Sequence, residues 1–299
     1  MGSGAVVRST PRRDGPSEVQ GRNPWPSSSV PRMSDILRDT PAEGIARITL
    51  NRPDALNALT FSMYGKLIEA LEAVRYDQGV RVVVLTGAGR GFCAGHDVRA
   101  AGVPDWVPEG LGAAQRSRAI MDKISRIPVI MRSLPQPVIA AVNGMAAGAG
   151  YSLALAADLC VAARTAKFVN AYHNAGSGHE FGLSYLLPRA VGTQRAAELL
   201  LTGRALPAEE AAAIGMILRV VEPAALEAAV LGLADAIAVN SPIGIALTKS
   251  SFWMNQHAGS LEQAIELENR GVFTSQTTKD TAEKRLSFVE KRRPHFKGE

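Results

Sequence analysis

A chain of 299 residues, 46% hydrophobic and 20% charged, has enough apolar material for one large core and sits near the upper size of a single domain. Two cysteines, Cys93 and Cys160, are too few for a disulfide framework and stand in no cluster of metal-ligand spacing, which points to a reducing cytoplasm and no structural metal. The formal charge of +5 is concentrated before residue 34, where Arg8, Arg12, Arg13, Arg22 and Arg32 meet only Asp14 and Glu18; removing that +3 leaves +2, too little to suggest a nucleic-acid partner.

Residues 1–33, rich in Ser, Pro, Gly and Arg and without apolar periodicity, predict a disordered extension. Five prolines there oppose an amphipathic organelle signal, and no uninterrupted apolar segment marks a secretory one. Alternation through Ile45, Ile48 and Leu50 predicts a strand, stopped by the turn chemistry of Asn51-Arg52-Pro53-Asp54. Thr60 to Tyr76 has helical spacing, with Phe61, Tyr64, Leu67, Ile68, Leu71 and Val74 on one face. Val82 to Leu85 and Pro137 to Val142 are short unbroken apolar runs suited to strands buried on both faces. The weakly charged stretch Pro137 to Ala157 is long enough to span a bilayer, but its opening proline, Asn143 and many Gly and Ala residues read as strand, loop and helix, so no membrane partner is expected. Alternating strands and helices predict an α/β core with parallel pairing. Beyond Thr193 the pattern is almost wholly helical, with segments at Thr193–Leu201, Pro207–Ala213, Pro223–Val239, Pro242–Asn255, Leu261–Thr274 and Thr281–Lys291. The last of these leads a basic group, Lys284, Arg285, Lys291, Arg292, Arg293 and Lys297, which reads either as a solvated face or as a contact for the phosphates of a small ligand.

Each predicted buried strand leads into a glycine-rich segment. The first is Thr86-Gly87-Ala88-Gly89-Arg90-Gly91-Phe92-Cys93-Ala94-Gly95-His96-Asp97; the second, Asn143-Gly144-Met145-Ala146-Ala147-Gly148-Ala149-Gly150, opens an apolar helix from Tyr151 to Ala157. Glycines at this spacing let backbone approach a ligand closely, and the first amides of a helix have no intrahelical acceptor. Together the segments could aim two N–H groups at one developing oxyanion. A dinucleotide loop is the sharper rival for TGAGRG, but no tyrosine here has lysine four residues on, and Phe92-Cys93-Ala94-Gly95 stands where a helix should begin. Gly150-Tyr151-Ser152-Leu153-Ala154 loosely imitates a serine nucleophile elbow, yet Ser152 lies about ten residues past the strand instead of on a strand-to-helix turn.

NRPDALNAL at Asn51, GRGFCAGHD at Gly89, PVIAAVNGMAAGAG at Pro137, LPRAVG at Leu187 and the ending EKRRPHFKG, in this order and spacing, resemble the enoyl-CoA hydratase/isomerase (crotonase) superfamily from about Ile36 to Lys297. The resemblance implies an α/β fold: a crotonase-type spiral of ββα units over residues 34–225 and a helical trimerisation region over 226–299, assembled as a trimer or dimer of trimers. It implies an acyl-CoA substrate and no cofactor beyond coenzyme A itself. By position, the backbone amides of His96 and Ala149 would hold the thioester oxygen. Ala55, Leu56, Ala94, Gly95, Asp97, Val98 and Arg99 would line the CoA and pantetheine path, and Phe296 and Lys297 would reach a neighbouring subunit's nucleotide.

The chain departs from the family pattern at the two glutamates with which typical hydratases hold and activate water. Those positions fall on Ser152 and Tyr172, and neither is a carboxylate. Glu180, in Gly178-His179-Glu180-Phe181-Gly182, stands where several isomerase-like members carry an acid, and desolvation beside an acyl pocket would favour its neutral form. Its bland alternative is a surface-loop charge or helix N-cap partner; His173 and His179 are secondary acid/base candidates. The expected activity is that of a hydratase/isomerase-type enzyme working through a stabilised enolate. The alternatives are a thioester hydrolase or other lyase on the same scaffold, and an acyl-CoA-binding protein without catalysis.

Overall fold

In the computed structural model, which describes residues 1–2, 34–100, 102–173 and 176–299, β1 (Ile36–Ala42) and β2 (Ile45–Leu50) form an antiparallel pair. The expectation of a disordered extension rests on residues 3–33, which lie outside the described residues. The Asn51–Asp54 turn chemistry produces a 3-10 turn at Pro53–Ala55, and α1 (Phe61–Arg75) follows with Thr60 Oγ1 accepting from the Met63 amide. Met63, Tyr64, Leu67, Leu71 and Val74 bury the inner stripe of α1, as its spacing predicts.

The chain then winds through three circuits, each laying one strand into each of two sheets. These are β3 (Val82–Gly87) with β4 (Gly91–Cys93), β5 (Val138–Val142) with β6 (Met145–Ala147), and β7 (Leu159–Ala163) with β8 (Lys167–Val169). Helices α2 (Ala113–Ile124) and α3 (Arg126–Ser133) close the first circuit, α4 (Ala149–Ala156) the second, and α5 (Leu183–Val191) and α6 (Thr193–Thr202) follow the third. The remainder comprises β9 (Ala205–Pro207), α7 (Ala208–Ala213), β10 (Arg219–Val221), α8 (Leu226–Ala238), α9 (Pro242–Asn255), α10 (Leu261–Gln276) and α11 (Lys279–Val289).

The larger sheet runs β1-β2-β3-β5-β7-β10, parallel from β2 onward; the smaller runs β4-β6-β8-β9, parallel through β8. Residues of the larger sheet alternate between two apolar layers. Ile48, Leu50, Val83, Leu85 and Ala140 pack toward α1, α3 and α4, while Ile45, Val82, Val84, Ile139 and Val161 pack under Leu226, Val230 and Ala234 of α8. Burial on both faces explains why these strands read as unbroken apolar runs.

Two expectations need correction. The region beyond Thr193 is not wholly helical: β9 pairs antiparallel with β8 and β10 pairs parallel with β7, closing one edge of each sheet. The glycine-rich segments are not loops throughout, because β4 and β6 lie inside them. Strands of three residues are too short for a period to register, and at β9 an edge position tolerates Pro207. Among the described residues no single helix is long and apolar enough to cross a membrane, and Pro137–Ala157 resolves into β5, β6 and α4.

Asp158, between α4 and β7, ties the helical region to the core. It pairs with Lys249 Nζ at 2.7 Å and accepts from Trp253 Nε1 at 2.6 Å, both from α9, and also accepts from the Val138 amide at 2.7 Å. Lys249 also donates to the Met131 and Gln136 carbonyls, so its charge is fully hydrogen-bonded where burial would otherwise be costly. At the chain end, buried Asp280 accepts from the Lys297 and Gly298 amides, and Arg81 donates to the Phe296 carbonyl at 2.6 Å.

Candidate functional site

β4, β6 and β8 are neighbours in the smaller sheet and run parallel, so their C-terminal ends lie together. His96 follows β4, Ala149 follows β6, and Tyr172 follows β8. Ligand crevices commonly open beyond the carboxyl ends of parallel strands. Here a cleft of about 630 Å³ opens there, lined by His96, Gly148, Ala149, Tyr172 and Glu180 together with Ala55, Leu56, Ala94, Gly95, Asp97, Val98 and Arg99. The fold thus gathers residues from Ala55 to Glu180 that the sequence separates.

The first loop is pinned by backbone alone: Ala94 N–H donates to the Leu56 carbonyl, Leu59 N–H to the Gly95 carbonyl, and Asp97 N–H to the Leu59 carbonyl. Asn57, fully buried at φ +58°, donates through Nδ2 to the Ala88 and Gly91 carbonyls and accepts from the Arg52 amide, locking the preceding turn onto the same loop. Asn143 reaches the Gly89 and Gly91 carbonyls from the second loop. The two loops touch at Gly95. Its φ is +94°, and a Cβ there would lie 2.9 Å from the Ala147 carbonyl oxygen and 3.5 Å from the Ala149 nitrogen. Only glycine permits this approach.

Among the described residues neither the His96 nor the Ala149 amide N–H has an acceptor. Ala149 is the first residue of α4, where such groups have no intrahelical partner and the helix dipole favours negative charge. Two unpaired donors on touching loops can hold an oxyanion. The His96 ring is held in place by Tyr64, stacked at 5.9 Å, and Phe61 at 5.2 Å; burial lowers its pKa against the opposing pull of Asp97, favouring a neutral ring. Asp97 is itself committed: Arg52 donates to it at 2.9 Å and the Arg99 amide at 3.0 Å, and the Arg52 contact holds its carboxyl below the usual range.

Ser152 and Tyr172 converge from α4 and from the end of β8. Their hydroxyls stand 3.3 Å apart, and both donate to the Glu180 carbonyl, at 3.2 and 3.4 Å. Burial raises the Tyr172 pKa, so this pair is neutral. Ser152 is fully buried inside α4, five residues past β6, so its hydroxyl is not presented as an exposed nucleophile. The Glu180 side chain lines the cleft, half-buried, with no hydrogen bond or ion pair to its carboxylate among the described residues. Of the other carboxylates at the cleft, Asp54 is exposed and Asp97 is bound to Arg52. His173 Nε2 meets the Leu200 carbonyl, and its ring packs on His179 at 5.4 Å.

Desolvation raises the Glu180 pKa above its ordinary value of 4.5. The folded chain therefore binds more protons than the unfolded chain between 4.5 and the raised value, and the stability this supplies is present below 4.5 and lost as pH rises through the folded value. Glu180→Gln is expected to melt above the wild type at neutral pH and to lose that advantage in acid below 4.5. Equal melting at neutral pH would contradict a desolvated carboxylate.

Phe296 and Lys297 stand apart from this cleft. In this chain they belong to the tail fastened by Arg81 and Asp280, and Lys297 lines a separate groove with Arg75, Arg81 and Gln136. Phe61, Ile120, Met121 and Ile124 also line the cleft, and the sequence conceals this, since an apolar residue on a helical stripe gives no sign that it borders a cleft.

The family model for enoyl-CoA hydratase/isomerase matches residues 40–299. A probable enoyl-CoA hydratase of Mycobacterium tuberculosis is 45% identical over 266 residues, covering 88% of this chain and 93% of that protein. The 1,2-epoxyphenylacetyl-CoA isomerase of Escherichia coli is 36% identical over 269 residues, covering 89% of this chain and 100% of that protein. The solved structure of a probable enoyl-CoA hydratase/isomerase from Mycobacterium abscessus is similar with a TM-score of 0.82 and 38% identity, over 89% of this chain and 100% of that one.

Proposed function

The chain belongs to the enoyl-CoA hydratase/isomerase family, and from that premise we propose that it is an acyl-CoA isomerase that moves a proton between carbons of an enolised thioester with one carboxylate, Glu180. The amides of His96 and Ala149 hold the thioester oxygen. Glu180 removes a proton from Cα of a 3-enoyl-CoA, the electron pair passes through the dienolate to that oxygen, and protonated Glu180 returns the proton to Cγ, leaving the 2-enoyl product. Preorganised donors act where charge develops, and a carboxyl with a raised pKa can both take and return a proton.

The observation that carries this reading is the neutral Ser152–Tyr172 hydroxyl pair at the positions where hydration calls for two carboxylates. The pair instead anchors the Glu180 backbone. Hydration would need a second acid to activate water, and Asp97 is bonded to Arg52. The test is paired turnover of a 3-enoyl-CoA and a 2-enoyl-CoA ester by the purified protein. The 3-enoyl ester should be faster by about 100-fold, the scale of one positioned acid/base group; equal or faster hydration of the 2-enoyl ester overturns the isomerase reading.

Coenzyme A enters as part of the substrate, and this chemistry calls on no resident metal or redox cofactor. The Ala55–Leu56 turn and the 94–99 loop, at the cleft mouth, receive the pantetheine. Cys93 and Cys160 are buried free thiols, which accords with a reducing cytoplasm, and burial pushes the pKa of each up to about 12. The proposed organisation is a spiral core over residues 34–225 and a helical region over 226–299 that assembles three chains. Exposed Leu261, Val272, Phe273, Phe288 and Val289 on α10 and α11 favour association.

A further inference from the structure

A second apolar cavity, of about 830 Å³, adjoins the cleft. The two share their walls in sequence. Gly148 and Ala149 at the start of α4 face the cleft, while Ala154 and Leu155 of the same helix face the cavity, about 8 Å further on at the helical rise per residue. Ile124 ends α2 in the cleft, and Ser125, at the break before α3, lies in the cavity. Glu180 belongs to the cleft, and Phe181 and Gly182 to the cavity.

Phe181 occupies the boundary. Its ring packs at 5.7 Å on Tyr64, whose ring in turn stacks on His96, and the residue is only 2% exposed. Its backbone has φ +55°, followed by Gly182 at +74°. A left-handed conformation is unfavourable for a bulky aromatic residue and persists only where surrounding contacts enforce it. That conformation carries the chain directly from Glu180, which lines the cleft, to an aromatic ring that lines the cavity and packs on Tyr64.

We infer that Phe181 is the partition that limits acyl length: it closes the catalytic cleft at its distal end, and removing its ring joins the cleft to the cavity behind it. This rests on the acyl-CoA reading above. An acyl group whose carbonyl is held by His96 and Ala149, and whose Cα faces Glu180, points its far end at Phe181. Compact acyl groups fit in front of the ring. A long straight chain has to displace it.

The test uses the full chain as wild type, Phe181→Leu and Phe181→Ala. Binding of saturated butyryl-, octanoyl-, dodecanoyl- and hexadecanoyl-CoA is measured by calorimetry, and kcat/KM for 3-enoyl esters of the same lengths is measured alongside. The expected result is that wild type loses about tenfold or more in affinity from octanoyl to dodecanoyl, and that both variants raise the dodecanoyl-to-butyryl ratio by about tenfold, the scale of apolar pocket discrimination. An unchanged ratio in Phe181→Leu, with wild-type circular dichroism and melting, overturns the partition even if Phe181→Ala does not fold. Ratios that shift in binding without turnover of any ester would leave the partition standing and sink the isomerase reading; turnover with unmoved ratios would do the reverse.

Discussion

Glu180→Gln lowers turnover of a 3-enoyl-CoA ester by about 100- to 10,000-fold, the span associated with one positioned acid/base group, while affinity for a saturated acyl-CoA stays within about threefold. The separation follows from the geometry. The Ser152 and Tyr172 hydroxyls bond to the Glu180 carbonyl, not its carboxylate, so the amide replacement leaves both bonds in place. The unpaired amides of His96 and Ala149 lie on other segments and retain the thioester oxygen. A drop in kcat with little change in binding marks an interaction used in the transition state. Steady-state kinetics beside calorimetry checks it; a variant within tenfold of wild-type turnover would remove Glu180 from the mechanism.

Gly150→Ala is expected to damage both stability and the site. A Cβ at Gly150 would fall 2.1 Å from the Cys93 carbonyl oxygen and 2.7 Å from the Cys93 Cβ, where α4 crosses β4. The clash is with backbone and a buried side chain, so no surface rotamer can relieve it, and relief means pushing α4 away from β4. We expect a loss of about 3 kcal/mol, read as a melting temperature lower by about 6–12 °C. The same movement separates the loops bearing His96 and Ala149, so activity falls further than the folded fraction alone accounts for. Gly232→Ala in α8 is the matched comparison: a Cβ there meets nothing within 4 Å, and the variant should melt at or slightly above wild type. Equal melting of the two variants would show that close packing of α4 on β4 is not what fixes the loops.

Much of this architecture is legible in the chain because apolar runs such as Val82 to Leu85 and the stripe of α1 record burial directly. The cleft was legible for a different reason. The glycine-rich segments advertise close backbone approach, and the cleft-lining positions from Ala55 to Arg99 sit beside them. What the sequence concealed is what depends on tertiary pairing. Strands β4, β6, β9 and β10 have three residues each, and their place is set by neighbouring strands instead of by any local pattern. Asn57 reads as an ordinary turn residue until its amide is seen holding Ala88 and Gly91. Ser152 and Tyr172 lie 20 residues apart in the chain, and nothing in either residue announces that their hydroxyls meet over the Glu180 carbonyl. Phe181 looks like one more core aromatic because neither its positive φ nor the cavity behind it leaves a mark on composition.

Enolisation of an acyl-CoA by one carboxylate and the backbone amides of two touching loops is read most directly as exchange at Cα. Butyryl-CoA, which has no double bond to move, is incubated with the protein in deuterium oxide and followed by mass spectrometry. Deuterium uptake at Cα is expected with the wild type and is abolished in Glu180→Gln. Uptake that continues undiminished in the variant, or no uptake by a wild type that demonstrably binds butyryl-CoA, would contradict this mechanism.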